Sequence, residues 1–452
     1  MRISTLAFTV TFLVCQFLAS SHLAAKPISL IRDAEIENTI RLYATPVFRA
    51  AGLEPDDIHI HLVKDNTLNA FVAGGQRLFI NTGLLLKSTS ANQIIGVIAH
   101  ETGHISGGHL SRLQKALEDS SVPMILSMLL GGAVIIGTGR GDVGGAIIAG
   151  GQSIAVRNFL QYSRTQESSA DQSALRFLDA SGQSAQGLLE FMETLRDQEL
   201  LSTSRQDPYV RSHPLTRDRI TTITEHVAHS PHTDTQGPPE YRIMFERMKA
   251  KLYAYVNPLG RTIRVYKESD NSVASRYART MAYYRKPDLD KALPLIDGLI
   301  AEFPDDPYFH ELKGQINFEN GRPAEALVSY QRAVDLSPDS YLIRRDLARV
   351  QIEMNDPELI EPAIENLRTT LAKDPFSAFT WRQLAIAYGR KGDKGRSSLA
   401  LAEEALINHK PDIASYHAGL AERLFSEGTR EWLQARDIQM AANELSKNQK
   451  DN

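Results

Sequence analysis

His100 and His104 stand four residues apart in the run Ile94-Ile95-Gly96-Val97-Ile98-Ala99-His100-Glu101-Thr102-Gly103-His104. On an α-helix that spacing projects both imidazoles from one face, where they can share a metal ion. Glu101 follows the first His and faces the same cleft. The pattern is H-E-x-x-H, in which two neutral imidazoles hold Zn²⁺ and the Glu serves as general base toward a water on the metal. A pattern with three fixed positions also arises by chance on surface helices. Here Ile94, Ile95, Val97 and Ile98 make the flank apolar. Polar groups facing a core need partners, and a metal ion supplies one.

Such a site needs further ligands. The only cysteine is Cys15, in an apolar N-terminal stretch, so the ligands must be His, Asp or Glu. Glu167-Ser168-Ser169-Ala170-Asp171 puts two carboxylates four apart on one helix face. Glu167 would coordinate, and Asp171, one turn on, would orient a zinc-binding imidazole. Alone this pattern equally describes a solvated helix face. Its weight comes from lying downstream of H-E-x-x-H, next to Ala170, whose small side chain permits close helix packing.

Ser212-His213-Pro214, followed by Arg219, is a third candidate. A His before Pro is held extended or in a turn. That loop could present an imidazole, and Arg219 could stabilise an oxyanion; a plain loop leading into a helix fits as well. Other histidines rank lower. His109 lies five residues beyond His104, and the six-residue spacing of a third His ligand falls on Leu110, so His109 is read as a supporting residue. His59 and His61 share a strand face and are read as the solvent side of an edge strand. His226, His229 and His232 lie in a polar, Pro-rich stretch and are discounted.

The elements that must position these groups follow from periodicity. Ile36, Ile40, Leu42, Tyr43, Val47 and Phe48 recur at helical spacing. Ile58–Leu62 alternates as a strand. Asn69–Ala73 and Gln76–Thr82, joined at Gly74-Gly75, read as a β-hairpin bordering the cleft, where an edge strand would take an extended peptide; Gly83-Leu84-Leu85 is read as the break that follows. Residues 1–25 read as a secretory signal, with an uncleaved anchor as the alternative. Residues 121–156 are apolar and Gly-rich. They suggest paired apolar helices touching a membrane, or a membrane-spanning hairpin.

The 452 residues allow roughly two to four domains. The net charge of −4 shows no nucleic-acid footprint. Beyond the Pro-rich stretch at 231–239 a repeat near 34 residues appears. Pro304, Pro338, Pro375 and Pro411 are 34, 37 and 36 apart, and an insertion is expected near Asp356-Pro357. Gly314, Ala326, Tyr330 and Ala333 fall at the small and aromatic positions of a tetratricopeptide unit, and Trp381–Tyr388 matches its W-x2-L-G-x2-Y start with Ala for Gly. Stacked helix pairs of this kind form a curved solenoid that binds protein or peptide. The expected organisation is a signal peptide (1–25), a metallopeptidase domain (26–235), a linker and connecting helix (236–270), a repeat domain (271–430), and a last helix with a polar tail (431–452).

Taken together, Asn69-Ala70-Phe71, His100–His104 with His109, Glu167–Asp171, and Ser212-His213-Pro214 with Arg219 resemble the zinc metallopeptidases of the CAAX-prenyl-protease and HtpX family, in that family's order. The resemblance implies an α+β zincin-type domain, mostly helical with a small sheet, ahead of the all-α solenoid. It implies one Zn²⁺ per chain on His100, His104 and Glu167, Glu101 as the catalytic carboxylate, and His213 and Arg219 as active-site groups. His213 has a second possible role, as a fourth ligand in the water position that holds the enzyme latent. The multi-span helices of some relatives are absent, which points to the soluble, exported branch. That branch implies a periplasmic endopeptidase for misfolded or stalled outer-membrane proteins, whose repeats engage the client or the β-barrel assembly machinery. The rival expectation is a non-proteolytic chaperone or adaptor with a structural zinc site.

Overall fold

The structure, a computed structural model, describes residues 29–109, 154–196 and 208–450. Most of the segment expected to touch a membrane, and all of the expected signal peptide, lie outside them. Among the described residues no helix is long and apolar enough to cross a membrane.

Strands β1 (Leu30–Ile31), β2 (His59–Val63), β3 (Ala70–Ala73) and β4 (Arg77–Asn81) form one sheet in the order β1-β2-β4-β3. β2 pairs parallel with β4 and antiparallel with β1, while β3 pairs antiparallel with β4. The hairpin turns at Gly74 and Gly75, whose φ values of 56° and 92° lie in the left-handed region that glycine adopts without steric cost. β2 is therefore an interior strand and not the expected edge; among the described residues β1 and β3 are the edges of the sheet. His61 is correspondingly half-buried, stacked on Phe79, which stacks in turn on Phe71. The hairpin ends at Asn81, and Gly83 sits inside a short helix, α2 (Thr82–Lys87), in close approach to the backbone of Asn66.

The other sheet face packs on α1 (Ala34–Ala50) and α3 (Ala91–Ser106). Asp33 caps α1 by accepting from the Ile36 amide. Ile36, Ile40, Tyr43, Val47 and Phe48 are buried, whereas Leu42 faces out. Each fully buried aliphatic or aromatic side chain of this set contributes roughly 1.5–3 kcal/mol. α4 (Ile154–Ala180), α5 (Gln186–Arg196), α6 (Pro208–Ser212) and α7 (Arg217–His229) close the domain. α8 (Pro239–Val256) places Phe245, Met248 and Leu252 in this same core and Ala250 and Ala254 in the next one, so the connecting helix belongs to both.

Helix pairs then stack: α9 (Leu259–Val265) and α10 (Val273–Arg285) lead into α11 (Leu289–Glu302), α12 (Pro307–Glu319) and α13 (Pro323–Leu336), α14 (Tyr341–Glu353) and α15 (Pro357–Lys373), α16 (Ala378–Lys391) and α17 (Lys394–Ile407), and α18 (Pro411–Leu424) and α19 (Arg430–Lys450). Gly314 of α12 lets the Tyr330 ring lie against the backbone; a Cβ there would come within 2.7 Å of that ring. α15 has 17 residues against 14 in α13 and α17, which accounts for the 37-residue step between Pro338 and Pro375. α19 is helical to Lys450 and buries Ala435, Ile438 and Ala442.

Candidate metal centre

The site sits where α3 crosses α4. Ser90 caps α3 by accepting from the Gln93 amide, and the helix carries His100, Glu101 and His104 inward. The crossing is close because both partners are small. A Cβ on Gly103 would lie 2.6 Å from the Ala170 carbonyl oxygen, and one on Gly96 would meet the Leu188 backbone of α5. This contact brings Glu167, one turn before Ala170, against the two imidazoles.

His100 Nε2 and His104 Nε2 are 3.1 Å apart. Glu167 Oε2 lies 3.3 Å from the first and Oε1 lies 3.4 Å from the second. His213, brought in between α6 and α7, places Nδ1 3.3 Å from His100 Nε2 and 3.2 Å from both Glu167 oxygens. One ligating atom from each of His100, His104, Glu167 and His213 fits within 4.8 Å of the others, and all four residues are buried. Asp171 accepts from His100 Nδ1 at 2.8 Å, which leaves Nε2 as the free lone pair.

Arg219 is deeply buried. Its Nε and Nη2 donate to the Asp171 carboxylate at 2.5 and 2.9 Å, while Nη1 meets Glu167 Oε2 at 3.0 Å and the Pro214 carbonyl at 2.9 Å. All three nitrogens are engaged within the protein, and Arg219 acts as the brace of Asp171 and of the His213 loop. His109 takes the supporting place expected of it, with Nδ1 3.0 Å from His104 Nδ1. His226 pairs with Asp179 at 3.1 Å, and His229 meets the Glu225 carbonyl within its own helix.

The charged and polar groups of the site converge on one buried point. Both Glu101 oxygens are buried without a hydrogen-bond partner, and His213 Nε2, 3.4 Å from Glu101 Oε1, is likewise unpartnered. A buried carboxylate left unpartnered is costly. Burial pushes the Glu101 carboxyl above its ordinary range. For Glu167 burial acts in the same direction, but His213, His104 and Arg219 outweigh it and hold the group well below that range. Burial, helped by the neighbouring His100, His213 and His109 and opposed by Glu167, drives His104 well below an ordinary imidazole. His100 resists burial through Asp171 and Glu167 and rises to about 9, so a cation and a proton compete for its Nε2 lone pair. The clustered lone pairs, the ionised Glu167 and the orphaned Glu101 oxygens fit a bound cation with an adjoining water.

Tyr209 was not singled out by its sequence context. It lies four residues before His213 on α6, is fully buried, and stacks on the His213 ring with centroids 4.5 Å apart. Its hydroxyl has no hydrogen-bond partner. The spacing of Tyr209 and His213 after Pro208 was the available signal.

Residues 31–227 match the family described as Peptidase family M48, and residues 277–341 match the tetratricopeptide repeat. The chain is a metalloprotease with an M48 domain and a tetratricopeptide solenoid. The M48 match encloses every residue of the cluster. Among curated relatives, the chain is 22% identical over 387 residues to the beta-barrel assembly-enhancing protease of Yersinia pestis, covering 84% of this chain and 78% of that one. It is 22% identical over 397 residues to the Escherichia coli K12 protein of the same name, covering 87% and 77%. It is 28% identical over 177 residues to metalloprotease YcaL of Escherichia coli K12, covering 38% of this chain and 63% of that one. The solved structure of MamA covers 38% of this chain and 97% of its own at 20% identity, with a TM-score of 0.29 that carries no argument.

Proposed function

We propose that the chain is a zinc-dependent periplasmic endopeptidase acting on misfolded or stalled outer-membrane proteins. The observation that carries the reading is the buried cluster of His100, His104, Glu167 and His213 beside an unpartnered Glu101. When bound, Zn²⁺ supplies Lewis acidity to the scissile carbonyl and lowers the pKa of water to about 7. His100, His104 and Glu167 hold it. Asp171 fixes the His100 tautomer, and Arg219 keeps Asp171 ionised and aligned. Glu101 takes the proton of the attacking water and returns it to the leaving amine. The open edge of β3 gives an extended substrate a backbone to pair with. The outer-membrane client and the periplasmic setting rest on the resemblance to proteases named for β-barrel assembly, and the repeats are read as the surface for client or assembly machinery.

His213 is proposed as a fourth ligand that occupies the water position and holds the enzyme latent. Its place within hydrogen-bonding reach of Glu167 and His100 supports this. Hydrolysis of an unfolded outer-membrane protein by the zinc-loaded chain, measured beside His213→Ala, is the test. The latent-ligand reading expects faster cleavage by the variant; unchanged or abolished cleavage removes it. Absence of cleavage by both chains with zinc bound would favour the chaperone reading instead.

A further inference from the structure

A cavity of about 520 Å³ opens in the C-terminal half of the solenoid, between α15, α16, α17 and α19, far in sequence from the metal centre. Its size lies within the range of ligand pockets, about 300–1,000 Å³. The floor is apolar, built from Leu371, Leu384 and Leu399, all buried. Trp381 and Tyr388 stand on one wall. The Trp381 indole N–H is already used on the Pro375 carbonyl, so that ring offers the pocket its apolar face.

The rim is cationic. Arg368, Arg396 and Arg430 reach it from three helices, against a single carboxylate, Glu431. Arg396 is fixed between Asp393 at 3.0 Å and Glu431 at 2.8 Å, which also neutralises Glu431. Arg368 and Arg430 are exposed, and among the described residues neither has a hydrogen-bond or ion-pair partner. Two guanidiniums without a hydrogen-bonded partner, over an apolar, aromatic floor, select a ligand with negative charge and an apolar group close together. A chain terminus meets that demand in one residue, because its carboxylate and its side chain leave the same Cα. An internal acidic residue would need a neighbour for the floor and room for the chain to enter and leave.

We propose that this pocket captures the C-terminal residue of a protein partner, its free carboxylate on Arg368 and Arg430 and its aromatic or large aliphatic side chain on the Leu371–Leu384–Leu399 floor. The proposal rests on reading the repeats as a protein-binding surface and is independent of the zinc chemistry.

The test uses the full chain and a fluorescein-labelled hexapeptide of Gly and Ser ending in Leu-Phe with a free carboxylate. Fluorescence anisotropy should show saturable binding that weakens as salt rises. The same peptide as C-terminal amide should bind about tenfold more weakly, the loss of one charge-assisted contact. Arg368→Gln and Arg430→Gln, both exposed and expected to keep the parental circular dichroism, should each weaken the acid peptide about fivefold or more and leave the amide unchanged. Arg332→Gln, on a repeat outside the pocket, should change neither. Equal binding of acid and amide, no binding of the acid peptide, or equal binding of an amidated peptide with an internal Glu-Phe pair would each overturn the proposal.

Discussion

Asp171 touches two of the groups that matter most, accepting from His100 Nδ1 on one side and from Arg219 on the other. Replacing a carboxylate that orients a ligand in this way typically costs about 10–100-fold in metal affinity. Asp171→Asn is therefore expected to lose zinc to a competing chelator at concentrations that leave the parent loaded, as read by metal analysis after dialysis. Arg219→Gln leaves two buried carboxylates without their cation and should lower unfolding stability in urea by about 3 kcal/mol. Legibility at this scale was uneven. His100, Glu101 and His104 stood out by spacing, whereas Glu167 and Asp171 drew their weight only from lying downstream of them. The engagement of Arg219 did not stand out, because spacing shows that a cation is near but not which of its donors are already occupied. Tyr209 stayed silent because a lone aromatic after Pro208 looks like any core residue.

At the scale of elements, the α3–α4 crossing depends on Gly103. A methyl group there would press into the Ala170 carbonyl, so Gly103→Ala must push the helices apart. Overpacking of this kind costs about 1–3 kcal/mol, and it separates His104 from Glu167. Thermal unfolding and zinc content should therefore fall together in that variant. The sheet gives a pH prediction. Burial, with Arg32, Arg77 and His59 nearby and Asp374 opposing, lowers His61 to about 4 from an ordinary 6.5. The unfolded chain binds this proton first as pH falls. The neutral, folded form thus gains stability above 6.5 and loses it progressively from there down to about 4. His61→Phe, which keeps the stack on Phe79, should flatten the stability profile measured across that window. The alternation of Ile58–Leu62 was readable, but its interior place was not. β1 is two residues long, too short for any alternation to show in sequence.

The whole molecule is joined by a buried ionic seam that no local pattern reveals. Lys251 of α8, only 4% exposed, meets Asp33 at 2.9 Å and Glu35 at 3.3 Å at the start of α1. Arg247 meets Glu35 at 2.8 Å and also pairs with Asp306 of the repeats, while Tyr277 donates to Glu35 at 2.6 Å. Arg32 reaches across to Asp374 at 2.7 Å. In sequence, Glu35 looks like an ordinary first-turn acid of an amphipathic helix, since its partners Arg247, Lys251 and Tyr277 lie more than 200 residues away. The repeat period and the helix pairs were legible because each unit is local; their docking onto the M48 domain was not. Lys251→Met leaves Asp33 and Glu35 short of a cation in a buried place. It should lower stability by about 3 kcal/mol in urea and increase proteolytic nicking between the M48 domain and the repeats. The account as a whole stands on one comparison: metal content and cleavage of an unfolded protein, measured side by side for the parent chain, Glu101→Gln and Glu167→Gln. One zinc per chain in the parent and in Glu101→Gln, cleavage by the parent alone, and loss of zinc from Glu167→Gln are predicted. Cleavage by Glu101→Gln at the parental rate, or full zinc retention by Glu167→Gln, would contradict it.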